Sequence, residues 1–285
     1  MKTLQKTAIS AAAVALLAGL TTTAAFAADE PAAPEVSPVT ANVTVVNDYR
    51  YRGISQSNFK PAIQGGFDYA HESGFYIGNW NSSISWISDA TSAGGSKNVS
   101  APIEMDFYAG IKKELIGEGF ASDLGVLQYY YPTSGLVISG TQANPNTTEI
   151  YAAQNFTYGP LTGFVKFSYA ASTLFGFAGS TGSYYPDLTL NYDTGVWGLA
   201  LNAHVGYQYV AGNVQGSKPT VTNSSLYSYT DYKLGVTKDF GGGLSLAAAY
   251  VATNAGKTGS TYNYSSPTNK NLGGSTGIVS LTKTF

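Results

Sequence analysis

Apolar and polar residues alternate at every second position through most of the chain after residue 38. In the clearest run, from Trp197 to Tyr209, every odd position is apolar or aromatic and the even positions hold Gly, Ala, Asn, His or Gln. Shorter runs of the same kind lie at 106–112, 187–192 and 231–240. A side-chain period of two belongs to a β-strand with two unlike faces, and a shift of one residue would exchange the faces. The pattern therefore predicts a series of strands, each about ten residues long.

The segments between these strands alternate between short turns and long polar loops. Five short turns rich in Gly, Asp and Pro lie at His71–Gly74, Ile116–Gly119, Gly159-Pro160, Asp193–Gly195 and Gly241–Gly243. Six long loops lie between them, at Ile54–Pro61, Ser88–Ala101, Pro132–Asn146, Ser172–Gly182, Ala211–Tyr227 and Asn254–Gly274. Outer-membrane barrels typically have short turns at one end, long loops at the other end and an even number of strands. We predict an all-β fold, an antiparallel up-and-down transmembrane β-barrel of about twelve strands over residues 39–285. A soluble periplasmic β-protein is the alternative, and it offers no reason for such sorting.

The first residues have the form of a secretory signal peptide. Two lysines precede the apolar run Ala8–Leu20, and Ala25–Ala27 has the small-x-small form of a cleavage site. The apolar run is shorter than the roughly 20 residues of a membrane-spanning helix. Residues 1–27 are therefore predicted to be a signal peptide. The Pro-, Ala- and Glu-rich residues 28–38 are predicted to be a disordered periplasmic lead-in to the barrel.

Composition narrows the classes of function. The chain has no cysteine, which excludes disulfides and thiolate metal sites. A formal net charge of -2 gives no electrostatic basis for binding nucleic acid. The two histidines, His71 and His204, belong to no recognisable catalytic or metal-binding motif, and the tightest acidic pair is Glu104 with Asp106. We predict a protein that is not an enzyme, with no catalytic residues, no metal and no cofactor.

Charged residues occupy the polar face of several predicted strands. The segment Asn47–Asn58, NDYRYRGISQSN, follows an apolar-alternating run and carries three charged residues interleaved with Tyr49 and Tyr51. If these tyrosines face lipid, the charges face the interior, because a basic residue facing lipid at the midplane costs about 2–4 kcal/mol. Acidic residues outnumber basic ones on the inward face, which favours a mild cation preference. The residues predicted to line the lumen are Asp48, Arg50, Arg52, Glu104, Asp106, Lys112, Glu149, Lys166, Asp187, His204, Asp231 and Lys233.

Aromatic residues are predicted to form two outward belts, one at each membrane interface. The belt near the short turns comprises Tyr69, Phe75, Tyr158, Tyr192, Trp197, Phe240 and Phe285. The belt near the long loops comprises Tyr49, Tyr51, Trp86, Tyr129, Tyr169, Tyr207, Tyr209 and Tyr250. Lys113, Lys238 and Lys283 share the motif apolar-x-Lys-x-apolar near the short turns, where a lysine stem can lie along the apolar band with its ammonium at the headgroups. Solvated surface lysines are the alternative.

One stretch and the end of the chain resemble a known family. The segment Asp48–Gln56, DYRYRGISQ, followed by PAIQGGFDYAHESGFYIGNW, is similar to the TorF porin family of Gram-negative bacteria, as is the ending Ser280–Phe285. The resemblance runs over the mature chain and implies a barrel in the bacterial outer membrane. Phe285 resembles the C-terminal signal that the barrel assembly machinery recognises, although Lys283 stands where that signal prefers an apolar residue.

Together these observations predict an outer-membrane porin, a narrow passive diffusion channel for small hydrophilic solutes or ions. Its expected partners are outer-membrane lipid, the barrel assembly machinery and the solutes. Twelve strands lie between the roughly eight that leave a filled interior and the roughly sixteen that leave an open pore. A non-conducting structural or adhesive barrel that acts through its long external loops is the alternative, because a plugged barrel has the same alternation. The oligomeric state stays open.

Overall fold

The fold is a closed antiparallel β-barrel. The computed structural model describes residues 37–93, 99–136, 144–217 and 220–285, without the side chains of 91–93, and the predicted signal peptide and most of the predicted lead-in lie outside these ranges. The strands are β1 (Val39–Val46), β2 (Arg50–Tyr51), β3 (Ile54–Ser55), β4 (Ala62–Ala70), β5 (Phe75–Ser83), β6 (Ile103–Gly117), β7 (Phe120–Tyr130), β8 (Thr147–Tyr158), β9 (Leu161–Ala170), β10 (Tyr184–Asp193), β11 (Leu199–Gln208), β12 (Tyr229–Asp239), β13 (Leu244–Thr253), β14 (Lys257–Thr258), β15 (Thr261–Tyr262) and β16 (Thr276–Thr284). The helices are α1 (Trp86–Ala93) and α2 (Asn223–Tyr227).

Twelve of these strands form the barrel, and each pairs with its barrel neighbours along the chain. The last strand, β16, closes the barrel against β1, with Asn42 opposite Thr284 and Val46 opposite Ser280. The other four strands form two small hairpins, β2–β3 and β14–β15, inside long connections. This confirms the predicted up-and-down barrel of twelve strands. In the described ranges, no helix has the length and apolar character needed to cross a membrane.

The connections are sorted by length as the sequence predicts. Five short turns join the strands at one end of the barrel, where β1 begins and β16 ends, and six long connections lie at the other end. The start of β11 differs from the prediction, because the strand begins at Leu199 and not at Trp197. Trp197 (φ 55) and Gly198 (φ 64) have positive φ and complete the turn before the strand.

The outer surface of the barrel carries most of the large apolar side chains. Along β1, Val43 and Val45 are exposed whereas Val46 is buried. The same alternation exposes 65% of Ile63 in β4 and 66% of Leu234 in β12. Since strand side chains point alternately to opposite faces, the apolar set read from the sequence lies outside and the polar set inside.

Aromatic rings mark both ends of this outer surface. The exposed rings near the short turns are those of Phe75, Tyr158, Tyr192, Trp197, Phe240 and Phe285. The exposed rings near the long connections are those of Tyr130, Tyr169, Tyr207 and Tyr250. Belts are therefore present at both ends, although four members predicted for the long-loop belt lie inside the barrel, as described below.

The repeated lysines lie at the short-turn rim, on outward positions of their strands. The Nζ of Lys238 donates to the carbonyl of Trp197 and lies 5.6 Å from the centre of the Phe240 ring. The Nζ of Lys283 donates to the carbonyl of Gly242 and lies 5.3 Å from the centre of the Phe285 ring. Each ammonium thus ties one strand to the neighbouring turn and covers an aromatic face, and neither is simply solvated.

Candidate functional site

The chain after β1 folds into the barrel and does not continue the strand. Residues 47–61, called the inserted loop below, turn inward after Val46 and form the hairpin β2–β3, with Arg52 (φ 46) and Gly53 (φ 77) at its tip. The prediction that Tyr49 and Tyr51 face lipid is therefore wrong. Tyr49 is 3% exposed and its hydroxyl donates to Glu104 at 2.6 Å. A period of two predicts the direction of a side chain only while the strand lasts.

Arg50 holds the inserted loop in its folded shape. Its Nε donates to Asp48 at 2.6 Å, and its Nη1 donates to the carbonyls of Gly53 (3.0 Å), Leu272 (2.6 Å) and Gly274 (3.1 Å). The Asp48 carboxylate also accepts a hydrogen bond from Ser55 at 2.6 Å. The guanidinium therefore joins the loop to itself and to the last long connection of the barrel.

Arg52 reaches across the interior to the opposite wall. Its Nη2 donates to Glu149 of β8 at 2.7 Å, and its Nη1 donates to Gln208 of β11 at 2.6 Å. Its guanidinium carbon lies 4.1 Å from the centre of the Tyr185 ring. Both partners of the ion pair are buried, with side-chain exposures of 6% and 2%. The inserted loop consequently spans the barrel and is fastened on both sides.

One side of the interior is filled by apolar and aromatic side chains. The cluster includes Val46, Trp80, Leu127, Tyr151 and Ile278, and the ring of Tyr49 packs edge-on against Trp80 at 5.5 Å. Trp80 belongs to it because the register of β5 against β6 is unbroken from 75 to 83, so its side chain points inward. The alternation of β5 therefore continues past Asn79 without a bulge, and Trp80 faces inward.

Two further aromatic residues predicted for the outer belt lie inside. Tyr129 is 2% exposed. Its hydroxyl forms hydrogen bonds with the Tyr51 hydroxyl (2.5 Å) and with the Glu149 carboxylate (3.2 Å). Trp86 begins α1 and packs edge-on against Tyr131 at 5.5 Å. The outward position at the end of β7 belongs to Tyr130, and α1 carries Trp86 away from the strand register, so both predictions were wrong.

The other side of the interior is a wall of charged residues on β9 to β12. Lys166 lies 3.8 Å from Asp187. His204 lies between two carboxylates, 3.9 Å from Asp187 and 3.0 Å from Asp231. Lys233 follows on the next strand, opposite His204 in the register. The two lysines of the wall, Lys166 and Lys233, each have a carboxylate nearby.

The remaining predicted residues also have inward side chains. Glu104 and Asp106 are 1% exposed, and Oδ1 of Asp106 has no hydrogen-bond partner in the described part of the chain. The same is true of the buried Nζ of Lys112. The structure thus brings the twelve predicted residues to one interior, and their part in conduction stays a prediction.

Sequence reasoning missed the tyrosines that partner the inward carboxylates. The hydroxyl of Tyr76 donates to Asp123 at 2.6 Å, and that of Tyr185 donates to Asp231 at 2.8 Å. Tyr108 makes the same contact with Asp68, a second acid that the sequence did not single out. For Tyr76 and Tyr108 the available signal was the glycine opposite each ring, because Gly110 pairs with Tyr76 and Gly78 with Tyr108, as Gly125 does with Tyr151. A glycine leaves space for a ring to lie across the neighbouring strand.

Several inward polar atoms have no protein partner. Within the described ranges they include atoms of Asp68, Asp106, Lys112, Asp123, Asp187, Asn191, Ser245 and Ser280. Buried polar atoms are normally hydrogen-bonded, to water where the protein offers nothing. The interior around these atoms is therefore suited to water. No group of three or more His, Cys, Asp or Glu side chains in these ranges is arranged to hold a metal ion.

At the long-loop end, the inserted loop, α1 and the neighbouring connections surround a vestibule of two adjoining cavities, about 200 and 400 Å³ in volume. Trp86, Phe175 and Phe177 line both cavities. Tyr264 donates a hydrogen bond to the carbonyl of Tyr227 at 2.7 Å, and burial raises the pKa of both tyrosines, so both are neutral at physiological pH. The vestibule leads to the inserted loop.

Fold and interior together define a closed twelve-stranded barrel with a loop fastened across its lumen. A model of the Gcw_chp family, described as a bacterial protein of unknown function, matches residues 28–285, and the chain belongs to that family. No curated protein matches the sequence. Membership of this family leaves the finer resemblance to the TorF porins a prediction.

Several solved structures, two of them porins, match the chain at low sequence identity. The KdgM porin is 6% identical, with a TM-score of 0.48 over 87% of this chain and 98% of that one. The NanC porin is 9% identical, with a TM-score of 0.49 over 87% and 98%. OccAB1 of Acinetobacter baumannii is 10% identical, with a TM-score of 0.43 over 89% and 65%.

Proposed function

We propose that this protein is a porin of the TorF type, a narrow passive channel for small hydrophilic solutes or ions in the outer membrane of a Gram-negative bacterium. The observation that carries the proposal is the distribution of charge and apolar surface over the barrel. Large apolar side chains cover the outside, and the charged side chains of the strands crowd the inside. A protein dissolved in water would have the opposite arrangement.

The outer surface fits a lipid bilayer. An apolar band bounded by two aromatic belts matches the hydrocarbon core and its two interfaces. Closure of β1 against β16 leaves no unpaired strand edge, which a bilayer would not tolerate. Outer-membrane lipid is thus the proposed partner of the wall, and the barrel assembly machinery is the proposed reader of Phe285. The signal peptide at residues 1–27 would direct the chain to the periplasm.

The proposed path runs along the charged wall of β9 to β12. On this wall, Oδ1 of Asp187 and Nδ2 of Asn191 have no protein partner among the described residues, and a water-filled path past them would admit small polar solutes. The inserted loop narrows this path, because Arg52 crosses to Glu149 and Gln208. We therefore expect a small conductance, with the inserted loop as the constriction.

Interior charge favours cations. Eight carboxylates are buried inside, those of Asp48, Asp68, Glu104, Asp106, Asp123, Glu149, Asp187 and Asp231. Five basic side chains oppose them, those of Arg50, Arg52, Lys112, Lys166 and Lys233. The excess of three negative groups among the described residues raises the local concentration of cations. A reversal potential that favours anions in a salt gradient would contradict this part of the proposal.

One observation favours a second candidate, a barrel that does not conduct. The inserted loop and the aromatic cluster around Trp80 fill one side of the interior, and Arg52 joins the loop to the other side of the interior. If this packing stays closed, the protein acts through its long external connections as a structural or adhesive barrel.

Single-channel recording of the purified protein in planar bilayers separates the two candidates. We compare the wild type with Gly53→Ala, in which the new Cβ would lie 2.9 Å from Cβ of Asp231 and still closer to the methyl group of Thr253. Because this clash pushes the tip of the inserted loop away from the wall, we expect a severalfold larger conductance.

Gly195→Ala is the matched control. Its backbone also has positive φ (67), but its added Cβ would meet no atom within 4 Å, so the backbone strain is similar and the loop is undisturbed. We expect it to conduct like the wild type. If the wild type and Gly53→Ala both give no current steps, the channel proposal fails and the closed barrel replaces it.

A further inference from the structure

We propose that the vestibule at the long-loop end binds neutral carbohydrates, so that the channel collects hydroxylated, uncharged solutes at its mouth. This inference rests on the proposed function and names the class of its solute. It is argued from the rings, the uncharged polar groups and the charge of the vestibule.

The vestibule has the size and the surface of a ligand site. The larger of its two cavities, about 400 Å³, lies within the range for small-molecule pockets, and the smaller, about 200 Å³, adjoins it. Besides the three shared aromatic residues, the smaller cavity is lined by the rings of Tyr51, Tyr131, Tyr229 and Tyr264. The rings come from the inserted loop, α1, β12 and three long connections, so they surround the space and do not form one flat patch.

Contacts among the rings hold them in place before any ligand arrives. Tyr51 packs edge-on against Phe175 at 5.5 Å, and Tyr229 packs edge-on against Tyr264 at 5.2 Å. Phe177 contacts Tyr227 at 4.6 Å. Edge-to-face pairs fix ring orientation and leave ring faces for a third group, and the C–H face of a pyranose ring suits an electron-rich aromatic face. Such preorganisation lowers the entropic cost of binding.

The polar groups of the vestibule are almost all uncharged. Amides of Gln56, Asn58 and Asn263 and hydroxyls of Ser265 and Ser266 lie among the rings. Amides and hydroxyls both donate and accept hydrogen bonds, as the hydroxyls of a sugar require. The amides of Asn58 and Asn263 already donate to Asp89 and to the carbonyl of Leu226, and a purely apolar ligand would leave the remaining hydrogen-bonding capacity of these groups unused.

The charge of the vestibule excludes ionic ligands. Asp89 is the one charged side chain among the described residues that line the two cavities, and no Lys or Arg accompanies it. Its carboxylate accepts hydrogen bonds from Asn58 at 3.1 Å and from Ser85 at 2.7 Å, so it is already engaged. An acidic sugar would find no cation here, and a cationic ligand would find a carboxylate already hydrogen-bonded.

Trp86 offers an unused donor. Its indole N–H is buried in the wall that the two cavities share and has no acceptor in the described part of the chain. Buried donors without partners are uncommon, and a modest turn of the indole would present this one to a ligand hydroxyl. Ring face and N–H would then contact the same sugar, which is the combination expected for carbohydrate recognition.

Calorimetric titration of the full-length protein in detergent micelles tests the proposal. The probes are maltotriose and cellotriose as neutral sugars, trigalacturonate as an acidic sugar of similar size, and 4-nitrophenol as an apolar ring. We expect saturable binding of at least one neutral trisaccharide. We expect trigalacturonate to bind at least about tenfold more weakly than that sugar. No heat from either neutral sugar, or tighter binding of trigalacturonate or 4-nitrophenol, overturns the proposal.

Variants tie the binding to the vestibule. Trp86→Leu and Phe177→Leu each remove a ring, and we expect about tenfold weaker binding of the neutral sugar. Tyr250→Leu removes an aromatic ring from the outer wall near the same end and should leave the affinity unchanged. Heat-modifiable migration on gels checks that each variant forms a barrel, and equal affinities for all three would contradict the assignment.

Binding and conduction are measured separately, so the two proposals fail separately. Sugar binding without current steps removes the channel and keeps the vestibule site. Current steps without sugar binding keep the channel and remove the site. If both hold, the neutral sugar should interrupt the current of the wild type and interrupt it less in Trp86→Leu.

Discussion

At the scale of single residues, Arg52 joins the inserted loop to two strands of the barrel wall. It holds an unfavourable backbone conformation (φ 46) at the tip of a hairpin, and its guanidinium contacts Glu149, Gln208 and the Tyr185 ring. A positive φ in a residue other than glycine is tolerated where surrounding contacts fix it. The ion pair with Glu149 is buried, so each charge depends on the other for its solvation.

Removal of this guanidinium should leave a buried carboxylate uncompensated. For Arg52→Ala we expect the free energy of unfolding to fall by about 3–5 kcal/mol, measured by urea titration in detergent or lipid. Arg52→Ala combined with Glu149→Gln should recover part of the loss, because no charge is then stranded. Lys270→Ala, at an exposed position, is the control and should change little. Equal stability of Arg52→Ala and the wild type would show that the pair is not closed in solution.

At the scale of elements, glycine and tyrosine fit neighbouring strands together. Gly125 of β7 lies opposite Tyr151 of β8, and Gly110 of β6 lies opposite Tyr76 of β5. The Tyr76 ring crosses over Gly110 and carries its hydroxyl to Asp123, and the Tyr151 ring crosses over Gly125 to the Tyr76 hydroxyl. One pairing thus provides both packing between strands and hydrogen bonds for buried charge.

A side chain at one of these glycines should displace a ring. A Cβ on Gly125 would lie 2.8 Å from the Tyr76 hydroxyl and closer still to that of Tyr151, so we expect Gly125→Val to cost about 1–3 kcal/mol of stability. Gly277→Val is the matched control on β16, where an added Cβ meets nothing within 4 Å, and it should cost under about 0.5 kcal/mol. Gel mobility with and without heating gives the folded fraction in increasing urea. A similar loss of stability in both variants would mean that the loss comes from the change in β-propensity and not from the contact with the ring.

At the scale of the whole molecule, one closed ribbon separates an apolar outside from a charged inside. The barrel wall is one layer thick, so the same strands serve both environments through their alternation. The closure also fixes the interior diameter, which the inserted loop then reduces. The proposed location in a membrane and the proposed passage through the interior would both follow from this one arrangement.

The membrane assignment predicts a cost that depends on position along the wall. Leu234 lies in the middle of β12 and is 66% exposed, so Leu234→Arg should destabilise the protein folded into lipid vesicles by about 2–4 kcal/mol. Val196→Arg, in the exposed short turn before β11, should have little effect. The measurement is the folded fraction after urea dilution into vesicles. If both arginines are equally tolerated, Leu234 does not face lipid.

Local rules let the sequence determine the strands, their faces and the sorting of turns from loops. A period of two, a glycine with positive φ and a polar loop each act within a few residues, and so the twelve strands could be read without the fold. The inward direction of Glu104, Asp187 and Asp231 follows from the same alternation.

Tertiary structure alone decided what fills the barrel. The inward fold of Tyr49 and Tyr51, the burial of Tyr129, and the bond from Arg52 to a carboxylate 97 residues away depend on which strands close against each other. Such contacts join residues far apart in sequence. The entropic cost of closing the long segment between them is offset only by the contacts of the completed barrel. The pattern along a strand says which face is polar, and only the closed ring says what lies opposite it.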